Sequence, residues 1–367
     1  MDREKVRYAG KYILAAIKWA AVSLLIGVVC GLLGTAFHWG IDWATRYRSE
    51  HMAVIWLLPL AGVATLLLYR LCRVSFDAGT NLIITSVVTG EHIPVLLAPL
   101  ITAGTLLSHL FGASVGREGA ALQLGGTIGH NLGELMRFDE DDVRVLAMSG
   151  MAACFSAMFG TPVSAAVFVL EVICVGTFQY AAFLPCIIAS CTADWLGRLL
   201  GSKPMAFDLP HIPEASWEFV LKTALLAALT AALSIVLCIA LHKSAEFWAK
   251  LIKNPYLRIF LGGLIMAVLV TALGLGDYAG AGAHMIERAI GGETEPWAFA
   301  VKLLLTALCV GVGFRGGEIV PTLFIGATFG CAVGPLLGLD PGFGAAAAMA
   351  ALFCSVVTVS YTHLRAH

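Results

Sequence analysis

Apolar residues run along this chain in blocks longer than a soluble core helix needs. The stretch 13–37 holds one charge (Lys18), 219–241 holds only Lys222, and 259–275 holds none. Each is long enough, or nearly so, to cross the roughly 30 Å hydrocarbon layer as a helix. The pattern predicts spans over 12–37, 52–71, 93–111, 121–136, 143–158, 162–178, 180–200, 216–243, 257–275, 297–313, 320–337 and 342–358. Several are short for a full crossing and are interrupted by glycine. The chain reads as an all-α polytopic membrane protein.

The polar breaks organise it further. Residues 1–11 form a basic N-terminus, 12–202 a first membrane repeat, 203–218 a polar, proline-containing linker, 219–358 a second repeat, and 359–367 a polar tail. Three pairs of segments connect the halves. Asp77-Ala78-Gly79 recurs as Asp277-Tyr278-Ala279-Gly280. Gly116-Arg117-Glu118-Gly119, with Gly126 beyond, recurs as Gly316-Gly317-Glu318, with Gly326 beyond. Met151-Ala152-Ala153-Cys154-Phe155 recurs as Met349-Ala350-Ala351-Leu352-Phe353. All share an offset of about 200 residues in the same order, which points to an internal duplication. Duplicated halves with short, glycine-broken membrane segments suggest a transporter or channel, with its site where helix ends of both repeats meet.

Composition agrees. Of 367 residues, 59% are hydrophobic and 13% charged, too few charges to cover a soluble surface of this size. The net charge is −1 and the basic residues are scattered, so no nucleic-acid partner is expected. The ten cysteines lie mostly inside apolar runs without a CxxC pair, which predicts buried thiols and neither disulfides nor a metal. No cofactor is expected. Arg3, Lys5, Arg7 and Lys11 precede the first span and predict a cytoplasmic N-terminus.

Three segments carry candidate chemistry. In Gly112-Ala-Ser-Val-Gly-Arg-Glu-Gly-Ala120, one apolar stretch ends and another begins around glycines, an arginine and a glutamate. A loop leading into a helix offers unpaired N–H groups and a positive dipole end, an anion site needing no cationic side chain. Glu118 then competes with an anion for that place, and a proton on Glu118 removes it from the contest. The plainer reading is a charged turn at the membrane surface. In the second segment, 313–327, Pro321 suits a first helical turn and leaves the amides of Ile319 and Val320 free to face an anion. The Glu318 side chain reads more simply as a structural carboxylate pairing with Arg315. In the third, Gly79-Thr80-Asn81-Leu82, the polar side chains either donate to an anion or cap a helix.

These segments, in this order, resemble the CLC family of chloride channels and anion/proton antiporters, whose pore carries G-S-G-I-P, G-(K/R)-E-G-P and G-G-x-F-x-P. Gly116-Arg117-Glu118-Gly119-Ala120 matches the second with Ala120 for proline, and Gly316-Gly317-Glu318-Ile319-Val320-Pro321 matches the third with Ile319 for phenylalanine. Gly150-Met-Ala-Ala-Cys-Phe155, Thr161-Pro162 and Phe168-Val-Leu-Glu171 are similar to the family as well. The resemblance implies two inverted-topology repeats of tilted, broken helices and a homodimer in the cell membrane with one pore per subunit. It implies transport of chloride or fluoride, coupled to protons or as a passive voltage-gated channel. By matching position, Glu118 is its gating residue. The implied anion ligands are Gly79, Thr80, Asn81, Gly116, Arg117, Gly119, Gly317, Ile319 and Val320.

The sequence departs from the pattern in three places. Gly79-Thr80-Asn81-Leu82-Ile83 stands where G-S-G-I-P is expected and, with Gly-Gly-Glu-Ile-Val-Pro321, looks more like the fluoride-exporting branch. Glu171 falls one position before the second glutamate of many antiporters, and Val172 takes that site. After Thr358 the chain lacks the expected helix with its pore tyrosine, so the second repeat reads as truncated and Tyr361 is not that tyrosine. A membrane-embedded enzyme is the competing class. His109 and His130 are its candidates, but neither H-E-x-x-H nor G-x-S-x-G occurs.

Overall fold

A computed structural model describes residues 3–74, 80–173, 179–203, 206–209, 213–214 and 216–364, with backbone only at 3–12, 80–82, 88 and 357–364. Among the described residues every regular element is helical. In order they are α1 (Arg3–Glu50), α2 (Leu58–Leu71), α3 (Thr80–Thr89), α4 (Leu97–Leu110), α5 (Glu118–Leu135), α6 (Glu140–Phe159) and α7 (Pro162–Ile173). There follow α8 (Tyr180–Leu199), α9 (Trp217–Leu251), α10 (Pro255–Ala272), α11 (Ala283–Ile290), α12 (Ala298–Val312), α13 (Ile319–Val333) and α14 (Pro341–Leu364).

Local chemistry explains many of these boundaries. Asp139 caps α6 by accepting from the Asp142 amide, Ser216 caps α9 through the Phe219 amide, and Asn254 caps α10 through the amides of Tyr256 and Leu257. Pro162, Pro255 and Pro341 open their helices, where a missing N–H is harmless. Among the described residues, seven segments are long and apolar enough to cross a membrane. Leu24, Leu25 and Leu32 on α1 and Ile235, Val236 and Ile239 on α9 stay exposed, as lipid-facing side chains do.

The predicted spans hold in outline, with some differences. The first does not end at Phe37: α1 runs unbroken to Glu50 because its polar second half has partners, described below. The pattern missed α3 and α11, ten and eight residues long, which are too short to register as spans. The helix of 162–178 is described to Ile173, and the rest of that predicted span lies outside the described residues. At the other end, the polar tail is helical through Leu364 as part of α14.

The chain forms two compact units that interleave in sequence. One comprises Met1–Trp39, Asp77–Pro99 and Ala121–Met205, the other Gly40–Phe76, Leu100–Ala120 and Ala206–His367. In the first, α6 is the hub, buried from Val145 to Phe159 and packed against α7 and α8. In the second, α13 packs against α11, α12 and α14, and Leu237, Leu241, Leu303, Ile325, Leu352 and Val356 share one core.

The segments matched between the halves pack alike. A methyl placed on Gly126 of α5 would lie 3.1 Å from Met151 Cγ on α6; one placed on Gly326 of α13 would lie 2.8 Å from Met349 Cα on α14. The Met-Ala-Ala stretch of each half is thus the surface on which the glycine-bearing helix of that half rests.

Candidate functional site

The two glycine-rich loops meet. Gly116 donates its N–H to the Gly317 carbonyl at 2.5 Å, and Gly317 returns a bond to the Gly116 carbonyl at 2.7 Å. This reciprocal antiparallel bridge joins residues 201 positions apart. The approach requires glycine. A β-carbon on Gly317 would sit 2.7 Å from the Gly119 nitrogen; one on Gly116 would run into Glu118 Oε2 and lie 3.0 Å from the Gly317 carbonyl. Immediately after the bridge both chains turn helical, α5 at Glu118 and α13 at Ile319. Two helix starts, each with unpaired amides and a positive dipole end, are therefore held side by side.

Glu118 lies between them. It is fully buried, and its Oε2 accepts the N–H of Arg117 at 3.0 Å and of Val320 at 3.2 Å. One carboxylate oxygen thus occupies the position that the amides of both loops would offer a small anion. The other oxygen, Oε1, is buried without a hydrogen-bond partner among the described residues. A charged turn at the membrane surface does not describe this residue.

Arg117 contributes its backbone to this point and turns its side chain elsewhere. The guanidinium pairs with Asp42 on α1 at 3.0 Å. Glu318 precedes α13 without capping it through its side chain. Arg315 sits 4.8 Å above the Tyr69 ring. Glu318 acts through its carbonyl, which accepts the Thr322 amide at 2.9 Å and hydroxyl at 2.8 Å.

The remaining predicted residues divide. Gly119 and Ala120 form the first turn of α5, and Ile319 and Pro321 the first turn of α13. The amide of that second turn that reaches Glu118 is that of Val320. Gly79 lies outside the described residues; Thr80 and Asn81 begin α3, with their side chains outside the described set. On α7, Glu171 is exposed and Val172 buried. Tyr361 falls in the helical end of α14, its side chain likewise undescribed.

Two buried cations escaped the sequence analysis. Arg48, near the end of α1, donates to the carbonyls of His109 at 2.7 Å and Ala279 at 3.3 Å. Lys302, fully buried in α12, donates to the carbonyls of Tyr278 at 3.0 Å and Gly280 at 2.5 Å. Both grip the Tyr278–Gly280 stretch, part of the segment matched between the halves. A lysine in an apolar run looks like a span flaw, and backbone carbonyl partners leave no mark in sequence. His109, a candidate of the enzyme reading, has its Nδ1 at 2.9 Å from the Thr105 carbonyl, a bond within its own helix.

This architecture has known relatives. The family profile described as voltage gated chloride channel matches residues 66–364. The chain belongs to this family. It is 38% identical over 346 residues to the chloride/fluoride channel protein of Pseudomonas syringae pv. tomato (strain DC3000), covering 92% of this chain and 76% of that protein. It is 27% identical over 378 residues to the H(+)/Cl(-) exchange transporter ClcA of Vibrio vulnificus, covering 93% and 79%. A crystal structure of a CLC-type fluoride/proton antiporter superposes with a TM-score of 0.90 at 32% identity, covering 94% of this chain and 87% of that one. The family is one of membrane transport proteins, which disposes of the enzyme reading, and its fold is the all-helical one expected from the sequence.

Proposed function

We propose that this protein exchanges fluoride or another small halide for protons across the cell membrane, with Glu118 as the group that links the two. The observation that carries this reading is the Glu118 carboxylate on the amides of Arg117 and Val320. An ionised carboxylate and a halide are interchangeable ligands for such amides, because both accept hydrogen bonds and carry one negative charge. They cannot share the place, since like charges that close in a buried site repel strongly. Ionised, Glu118 holds the amides and excludes the anion. Protonated, it no longer needs them, and an anion takes its place. Each anion that passes therefore requires a proton to have come or gone.

Fluoride is favoured over chloride for two reasons. The Gly79-Thr80-Asn81-Leu82-Ile83 segment departs from the serine-containing pattern in the direction of the fluoride-exporting branch. The relatives at 38% and 32% identity both carry fluoride in their names. The same reading holds that Thr80 and Asn81 supply polar contacts to an entering anion, that Gly116, Gly119, Gly317 and Ile319 shape its site, and that two copies assemble with their N-termini in the cytoplasm.

Efflux from vesicles reconstituted with the protein tests the ion. Fluoride is expected to leave at least about tenfold faster than chloride, a difference of about 1.4 kcal/mol between the two barriers. Chloride moving faster would reject the fluoride assignment. Light scattering of the purified particle is expected to give the mass of two chains, and a single-chain mass would contradict the dimer.

A further inference from the structure

We infer that His92, His130 and Glu134 form a binding site for a divalent transition metal such as Zn2+. His130 and Glu134 are one turn apart on α5, and His92 lies in the segment between α3 and α4. One donor atom from each, two imidazole nitrogens and a carboxylate oxygen, lies within 4.8 Å of the others. Glu134 Oε1 is 3.0 Å from His92 Nδ1 and 3.2 Å from His130 Nε2. A tetrahedral centre with bonds of 2.0–2.1 Å separates its ligand atoms by about 3.3 Å, so little movement closes this set around an ion. Two nitrogens and one oxygen suit zinc and its first-row neighbours rather than calcium or magnesium.

The hydrogen bonding around His130 gives an independent reason. Its Nε2 faces two groups with opposite requirements, the Ile93 N–H at 3.3 Å and the Glu134 carboxylate at 3.2 Å. Without a proton, Nε2 accepts from Ile93 and turns a lone pair on the carboxylate. With one, it donates to Glu134 and meets the Ile93 N–H head-on. A cation between the three donors takes a lone pair from each and ends the conflict at the expense of one long backbone bond. The segment is held ready for this, because Asn131 donates to the Ile93 carbonyl at 3.0 Å and fixes the backbone beside His92.

A fourth position is available. His130 and Glu134 line a cavity of about 150 Å³ with Ser86, Glu140 and Arg144. Ser86 is 1% exposed, and its hydroxyl is buried there without a partner among the described residues. A cavity of this size holds water, and a metal-bound water is a natural partner for that hydroxyl. His92 is 64% exposed, which leaves a way in from solvent. An ion here would pin the segment before α4 to the far end of the helix that begins with Glu118.

Calorimetry on the purified full chain, stripped with a chelator and titrated with Zn2+, tests the site. One ion per chain is expected. His92→Ala and Glu134→Gln should each weaken binding more than about tenfold, since loss of outer-shell partners alone reaches that size. His92 is exposed in a loop, so its variant should keep the wild-type elution profile and anion efflux. Substituted Co2+ should show the intense visible bands of a tetrahedral nitrogen and oxygen site. Absence of binding overturns the inference, as does undiminished binding by His92→Ala. A sulfur-to-cobalt band would also overturn it by assigning the ion to a thiol such as the exposed Cys191.

Discussion

Replacing Glu118 with glutamine is expected to abolish proton movement while anion movement continues. Glutamine keeps the size and one acceptor oxygen of the carboxylate, so the backbone of the two helix starts has no reason to shift. It cannot ionise, so it neither competes as a charge for the amides of Arg117 and Val320 nor carries a proton. In vesicles with an imposed anion gradient, proton uptake should fall to that of protein-free vesicles. Anion flux should remain within about tenfold of wild type and lose its dependence on pH, because the change to its barrier is at most about 1.4 kcal/mol. Coupled proton uptake persisting in this variant would remove Glu118 from the mechanism.

Substituting Gly116 by alanine should have a different signature. The added methyl points at Glu118 Oε2 and lies 3.0 Å from both the Gly317 carbonyl and Pro321 Cδ. The last two belong to the bridge and to a helix start and have little freedom; the carboxylate is the movable neighbour. It should be forced off its amides, with the methyl left in the space an anion would use. Both fluxes are then expected to fall by at least about tenfold, where glutamine at 118 removes only one. The cost in stability is about 1–3 kcal/mol, as for other overpacked positions, so the variant should still purify as a single species. Wild-type flux through such a protein would show that the space between the loops is not on the anion's path.

The sequence made some of this arrangement visible and hid the rest for identifiable reasons. Glycine runs opening apolar segments, with Pro321 in the second, located α5 and α13 because helix starts have their own chemistry. The Met151 and Met349 stretches could be matched between the halves because each serves as a packing surface for a glycine-bearing helix. The depth of Glu118 could not be read from its neighbours. Its burial follows from the pairing of Gly116 with Gly317, and nothing local records a contact spanning 201 positions. The length of α1 was hidden likewise: His38, Asp42, Arg46 and Arg48 look like the polar end of a span until Asp42 is seen to meet Arg117 and Arg48 to meet two carbonyls. Lys302 was passed over because its partners are backbone oxygens, which every residue has.

The two oxygens of Glu118 are not equivalent, and under the proposed exchange that inequality would set an order of events. Oε2 is tied down by the amides, while among the described residues Oε1 has no bond to give up. In that exchange, a proton arriving at Oε1 would break nothing on entry, and only afterwards, with its charge gone, would the side chain lose its hold and swing out. Loading and opening would then be successive acts, so an anion pressing on the carboxylate would not by itself unlatch it.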